Sequence, residues 1–222
     1  MLSLSPFQQR LEYIYGISTE HDVDDFLITD RGLAEQLEGS TDTRVADEKL
    51  LLREQDDGID LSLFLDSGLV DRLARDNPTD SLHDGNLADF CTALEGVSHF
   101  VHLVWRALES RVTSHLELEL QAEVDKFISS VNLLGQQGQK SAPPDLHRRL
   151  FEQVSFANDL NETERQRYEE ANRFAARYCR HLETRYLHPY SVDRTGLRNE
   201  LRNFYQLELR DKIARIERAP VE

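Results

Sequence analysis

Residues 86–109, NLADFCTALEGVSHFVHLVWRALE, decide the fold. Leu87, Phe90, Leu94, Val97, Val101, Val104 and Leu108 recur at steps of three and four, so one face of a long helix is continuously apolar. A second helix carries Leu116, Leu120, Val124, Phe127, Val131 and Leu134 in the same rhythm. Only the residues around SRVTS separate the two, which predicts an antiparallel helical hairpin over 86–109 and 116–135.

Upstream, Ser5-Pro6 opens a short amphipathic helix through Phe7, Leu11, Ile14 and Tyr15, closed by Gly16. The β signal is KLLLREQDDGIDLSLFLD, residues 49–66, where Ile59, Leu61, Leu63 and Leu65 alternate with a mostly polar set that includes Phe64. A two-residue turn at Asp57-Gly58 sets Leu52 opposite Leu63 and Leu50 opposite Leu65. A lone hairpin is marginal in water, and FLIT, residues 26–29, is the candidate third strand. Downstream, 135–145 reads as a loop, and Asn161 with Glu164 as a capping box before a long helix that His188-Pro189 ends. A last helix runs from Asp193 through Ile216.

The expected class is therefore mainly α (α+β). An acidic part over 1–84 holds a small antiparallel sheet built on the 49–65 hairpin, and a helical bundle occupies 85–222, all in one compact domain.

The chain has 222 residues and a net charge of −15, which opposes nucleic-acid or anionic-membrane binding and makes nucleic acid an improbable partner. The acid is an N-terminal property: residues 1–144 hold 11 basic against 27 acidic side chains, residues 145–222 hold 15 against 14. No apolar stretch approaches the length of a membrane span, and the start lacks the basic flank of a signal peptide. Cys91 and Cys179 sit in helical apolar patterns as structural thiols, which fits a reducing cytoplasm.

One polar stripe runs beside the apolar seam: Glu95, His99, His102, Arg106 and Glu109 step by four, three, four and three. The facing helix offers His115, Glu119 and Glu123. Carboxylates and imidazoles facing one another between helices build divalent-metal sites in bundles, although the Glu-x-x-His spacing of the di-iron type is missing here. The plainer expectation makes these residues neighbours on solvated or partly buried helix flanks. His21-Asp22 and His83-Asp84 are similar to the metal-binding pair of HD-type phosphohydrolases, but both lie in acidic loops.

Arg194, Arg198 and Arg202 form a like-charged row, either paired with the acidic N-terminal half or open to phosphate or RNA. No phosphate-binding glycine loop, nucleophile elbow, Cys-x-x-Cys or His-Glu-x-x-His is present.

The leading expectation is a cytoplasmic interaction or adaptor module without a cofactor. Its partner is another, basic protein, met by Asp22, Asp24 and Asp25 or by the hairpin edge, and a homo-oligomer is also compatible. The alternative is a metal-dependent enzyme using Glu95, His99, His102, His115, Glu119 and Glu123 with a divalent metal. A second alternative is an RNA or phosphate binder through Arg194, Arg198 and Arg202.

Overall fold

The computed structural model describes residues 2–38, 46–55, 58–139, 143–154, 160–188 and 191–219. In chain order the elements are α1 (Ser5–Tyr15), β1 (Leu27–Ile28), α2 (Arg31–Glu38), β2 (Glu48–Gln55), β3 (Gly58–Leu65), α3 (Ser67–Arg75), α4 (Leu87–Leu108) and α5 (His115–Gln136). They continue with α6 (Leu146–Phe151), α7 (Glu162–Tyr186), β4 (Leu187–His188), β5 (Ser191–Val192), α8 (Arg194–Tyr205) and α9 (Leu209–Arg218). The chain is mainly helical with a small sheet in its N-terminal part.

Helices α4 and α5 occupy the centre. Ser114 caps α5 by accepting the Glu117 amide at 3.2 Å, and the turn before it passes through Ser110 at a positive φ of 54°. From the seam, Phe90, Leu94, Val97 and Val101 are buried in one core with Leu120, Val124 and Phe127. Full burial of each such side chain stabilises by about 1.5–3 kcal/mol. Helix α7 lies along α5, with α6, α8 and α9 against it, while α1 bridges α4 and α8. Both halves of the Asn161 and Glu164 capping box are formed at the start of α7.

The sheet has the order β1-β3-β2, and it is mixed. β2 and β3 are antiparallel as expected, but β1 runs parallel to β3, with Leu27 opposite Leu63. Helix α2 separates β1 from the hairpin and lets the first strand land on the far edge of β3. Within the hairpin Leu50 faces Leu63 and Leu52 faces Leu61, two residues away from the expected register. Gln55 pairs with Gly58, so the connection is residues 56 and 57; Asp57 of the expected turn lies outside the described residues. A slip of two keeps every side chain on its face, because the strand period is two. Phe64, assigned to the polar set, is instead buried with Leu51 and Ala34 under α2, so the sheet is covered on both faces.

The last helix is broken rather than continuous. Arg106 and Arg111 donate to the Leu207 and Gln206 carbonyls at 3.0 and 2.9 Å, taking carbonyl acceptors at the α8 terminus, and α9 restarts after Glu208.

Gly96 sets how closely the sheet approaches α4. A Cβ there would lie 2.6 Å from Leu63 Cδ1 and 2.9 Å from Glu48 Cγ, so only glycine lets β2 and β3 seat against the helix. In a helix interior alanine normally gains about 0.5–1 kcal/mol over glycine. The contact reverses that sign: Gly96→Ala is expected to destabilise by about 1–3 kcal/mol in urea unfolding, through forced displacement of the buried Leu63 side chain and of the Glu48 side chain.

Candidate metal centre

Three of the residues singled out on α4 and α5 converge. Glu95, His99 and Glu119 place one ligand atom each within 4.8 Å of one another. The i,i+4 spacing stacks Glu95 under His99 on α4, and the antiparallel approach of α5 brings Glu119 to the same level. His99 Nε2 lies 3.4 Å from Glu119 Oε2 without forming a hydrogen bond. His99 is 7% exposed, so this nitrogen is buried with an ion-pair neighbour but no hydrogen bond.

Glu123, one turn further along α5, joins through Lys126, whose Nζ is 2.7 Å from Glu123 Oε1 and 2.8 Å from Glu95 Oε2. Two more residues complete the cluster, and neither was singled out in the sequence. Glu48, at the start of β2, puts Oε1 3.7 Å from His99 Nδ1, and that oxygen is also buried without a hydrogen-bond partner. Arg167 of α7 places Nε 3.7 Å from Glu119 Oε1. Glu48 shares strand parity with Leu50 and Leu52, and that signal was available in the sequence. Nothing local marks Arg167, which lies 41 residues beyond Lys126 and reaches the cluster only through the fold.

Four carboxylates thus face Lys126, Arg167 and one imidazole. Burial alone would lower the His99 pKa, yet Glu119 and Glu48 hold it well above the ordinary 6.5. Burial raises Glu48, with Glu95 and Glu119 adding repulsion and His99 opposing. For Glu95 burial works upward, but Lys126 and His99 prevail and its pKa is lowered. Burial raises Glu123 against the pull of Lys126. It also pushes the nearby Cys91 thiol up to about 12, which makes that cysteine a protonated, unreactive packing group.

His102 and His115 lie elsewhere. His115 is exposed at the start of α5, beside Lys49 and Leu52 in a cavity of about 290 Å³ along β2. His102 is wholly buried in a second network rather than on a solvated or partly buried flank. There Arg106, also fully buried, donates to Glu117 and to the Leu207 carbonyl, while Lys212 of α9 reaches Glu117 at 3.1 Å and Gln121 at 3.2 Å. Gln121 donates to Asp125 at 2.9 Å, which also accepts from Ser98 at 2.6 Å and from Tyr15. Burial and the neighbouring Lys212 drop His102 to about 3, so it is neutral. Burial lowers Lys212 to about 8 and raises Asp125 to about 6. Every charge in this network meets a direct partner, and it ties α1, α4, α5 and α9 together.

The other candidates have structural partners. Asp24 accepts from the Leu4 amide at 2.7 Å and the Ser3 and Ser5 hydroxyls at 2.5 and 2.9 Å, and Asp22 accepts from Ser5 at 2.6 Å. These carboxylates sit at the N-terminus of α1, where negative charge is favoured; Asp22 and Asp25 are exposed and Asp24 is half-buried. Arg202 donates to the Ile14 and Tyr13 carbonyls at 3.2 Å each and closes the opposite end of α1. His83 braces its loop against Asp76 at 3.1 Å. No helix among the described residues is long and apolar enough to cross a membrane. No protein-family model, curated protein or solved structure matches the chain.

Because its pKa is raised on folding, His99 stabilises the fold fully below about pH 6.5, its free value, and loses that contribution as pH rises through its folded value. Chemical denaturation of metal-free protein should therefore show a stability loss above pH 6.5 that His99→Gln reduces; identical pH profiles for the two proteins would contradict the assignment.

Proposed function

We propose that the protein binds one divalent transition-metal ion through Glu95, His99 and Glu119, the chemistry of a metal-dependent enzyme. The observation that carries this reading is the convergence of Glu95, His99 and Glu119, with His99 Nε2 buried, without a hydrogen bond and 3.4 Å from Glu119 Oε2. Bonds of about 2.1 Å in tetrahedral geometry separate neighbouring ligand atoms by about 3.4 Å, and His99 Nε2 already stands 3.4 Å from Glu119 Oε2. One nitrogen with two carboxylate oxygens suits zinc, manganese or iron rather than calcium.

The surroundings support the same reading. Glu48 lies on the Nδ1 side of the imidazole, where metal-bound histidines meet an orienting carboxylate. Lys126 lies against Glu95 Oε2 and Arg167 against Glu119 Oε1, and the two cations offset those carboxylate charges. Charge also balances: four carboxylates against Lys126, Arg167 and a protonated His99 leave one negative charge, and replacing that proton by a dication closes the cluster at zero. Glu95, His99 and Glu119 would hold the ion and leave it open to water, and the ion would supply the activation of that water as a nucleophile. The proposed reaction class is accordingly metal-assisted attack by water.

A second reading, docking of another chain, rests on β2. It is an edge strand among the described residues, and Leu52 on it is 48% exposed. Leu52→Lys should remove such a partner from co-purification and leave metal content intact; a partner retained by the variant would discard this edge.

Calorimetric titration of metal-stripped protein with Zn²⁺ and Mn²⁺ tests the principal reading. One ion is expected to bind, with release of the His99 proton, so that affinity rises with pH. Glu48→Gln should weaken binding about 10–100-fold and His99→Ala or Glu119→Gln by more, while His115→Ala has no effect. Absence of stoichiometric binding, or equal affinity in folded His99→Ala, contradicts the proposal.

A further inference from the structure

A cavity of about 250 Å³ opens between α1, α5, the β4-β5 hairpin and α8. Its apolar wall includes Ile14, Val131, Leu197 and Leu201, and its described lining contains Arg10, Arg194 and Arg198 but no aspartate or glutamate. In a chain with 41 acidic side chains against 26 basic ones, three arginines around one opening without a carboxylate form an isolated positive site.

The arginines are placed at a local cost. Arg194 and Arg198 stand one turn apart on α8, where like charges repel, and they occupy its first two turns, where the helix dipole disfavours cations. Neither makes an ion pair among the described residues; Arg198 lies only over the Tyr13 ring, 4.8 Å from its centroid. Arg10 donates from Nη1 to Gln136 at 2.9 Å, but its Nε is buried without a partner. The third arginine of the α8 row, Arg202, is turned away to the end of α1, and Arg10 from α1 takes its place at the cavity.

We infer that this cavity binds a small phosphate monoester with an apolar body. Guanidinium groups from two helices can each take phosphate oxygens in the planar, two-bonded geometry that arginine favours. The isoleucine, valine and leucine wall takes the organic part, and the volume limits that part to less than a drug-sized molecule. The site lies apart from the Glu95, His99 and Glu119 cluster and shares no lining residue with it, so its test is independent of metal binding.

The experiment is calorimetric titration of the full chain with phenyl phosphate, inorganic phosphate and benzoate. Saturable binding of phenyl phosphate is expected, tighter than either of the others and weakened by added salt. The double variant Arg194→Gln, Arg198→Gln changes two exposed side chains and should keep its circular dichroism while losing about tenfold or more in affinity. No saturable binding, an unchanged affinity in the folded double variant, or inorganic phosphate or benzoate binding as tightly as phenyl phosphate would overturn the inference.

Discussion

Burying charge between α4 and α5 is the constraint on which the rest of this structure depends. The two helices share an apolar seam, but their flanks also carry His99, His102, Arg106, Glu117, Glu119 and Asp125 into the interior. An ionised group removed from water costs several kcal/mol unless partners surround it. Those partners come from every direction: Glu48 from the sheet, Tyr15 from α1, Arg167 from α7 and Lys212 from α9. The outer elements are thereby positioned by electrostatic demand as well as by apolar packing.

The two buried clusters resolve that demand differently. Around Arg106 and Glu117, direct hydrogen bonds satisfy the charges, and Arg106 also accounts for the break between α8 and α9 by taking the Leu207 carbonyl. Such a network acts as a lock, since removing one member strands another in the interior. Around His99, Glu48 Oε1 and His99 Nε2 lack hydrogen bonds, and carboxylates exceed cations. His102 Nδ1 and the Ser129 and Ser130 hydroxyls are also buried without a hydrogen bond, so what distinguishes the His99 cluster is that its unsatisfied atoms lie among converging carboxylates, where a cation would be received. Gly96 connects this site to the sheet, because its missing Cβ allows Glu48 to approach α4.

Local periodicity made the central helices legible, and with them the convergence of Glu95, His99 and Glu119. The hairpin was equally legible in its strands and faces, but its register was displaced because the turn was placed on Asp57-Gly58 rather than before Gly58. What could not be read is what depends on long separations. Arg106 looked like the edge of a solvated stripe because Lys212 and Glu208, which share its surroundings, lie about a hundred residues downstream. The continuous apolar rhythm from Leu197 to Ile216 likewise hid the break that those contacts impose. Arg10 and Arg198 meet at one cavity from opposite ends of the chain, and no spacing rule links them. Glu48 is the exception, since its parity with Leu50 and Leu52 placed it on the core face all along.

A metal held by Glu95, His99 and Glu119 would occupy one position in space, and anomalous diffraction locates it directly. In a crystal of the protein grown with Mn²⁺ or Zn²⁺, data collected at the metal edge should show a single strong peak bonded to His99 Nε2 and to oxygens of Glu95 and Glu119. A well-ordered interior with no peak there, or with the metal held only by surface carboxylates, would contradict the account and leave the His99 cluster as a structural ion network.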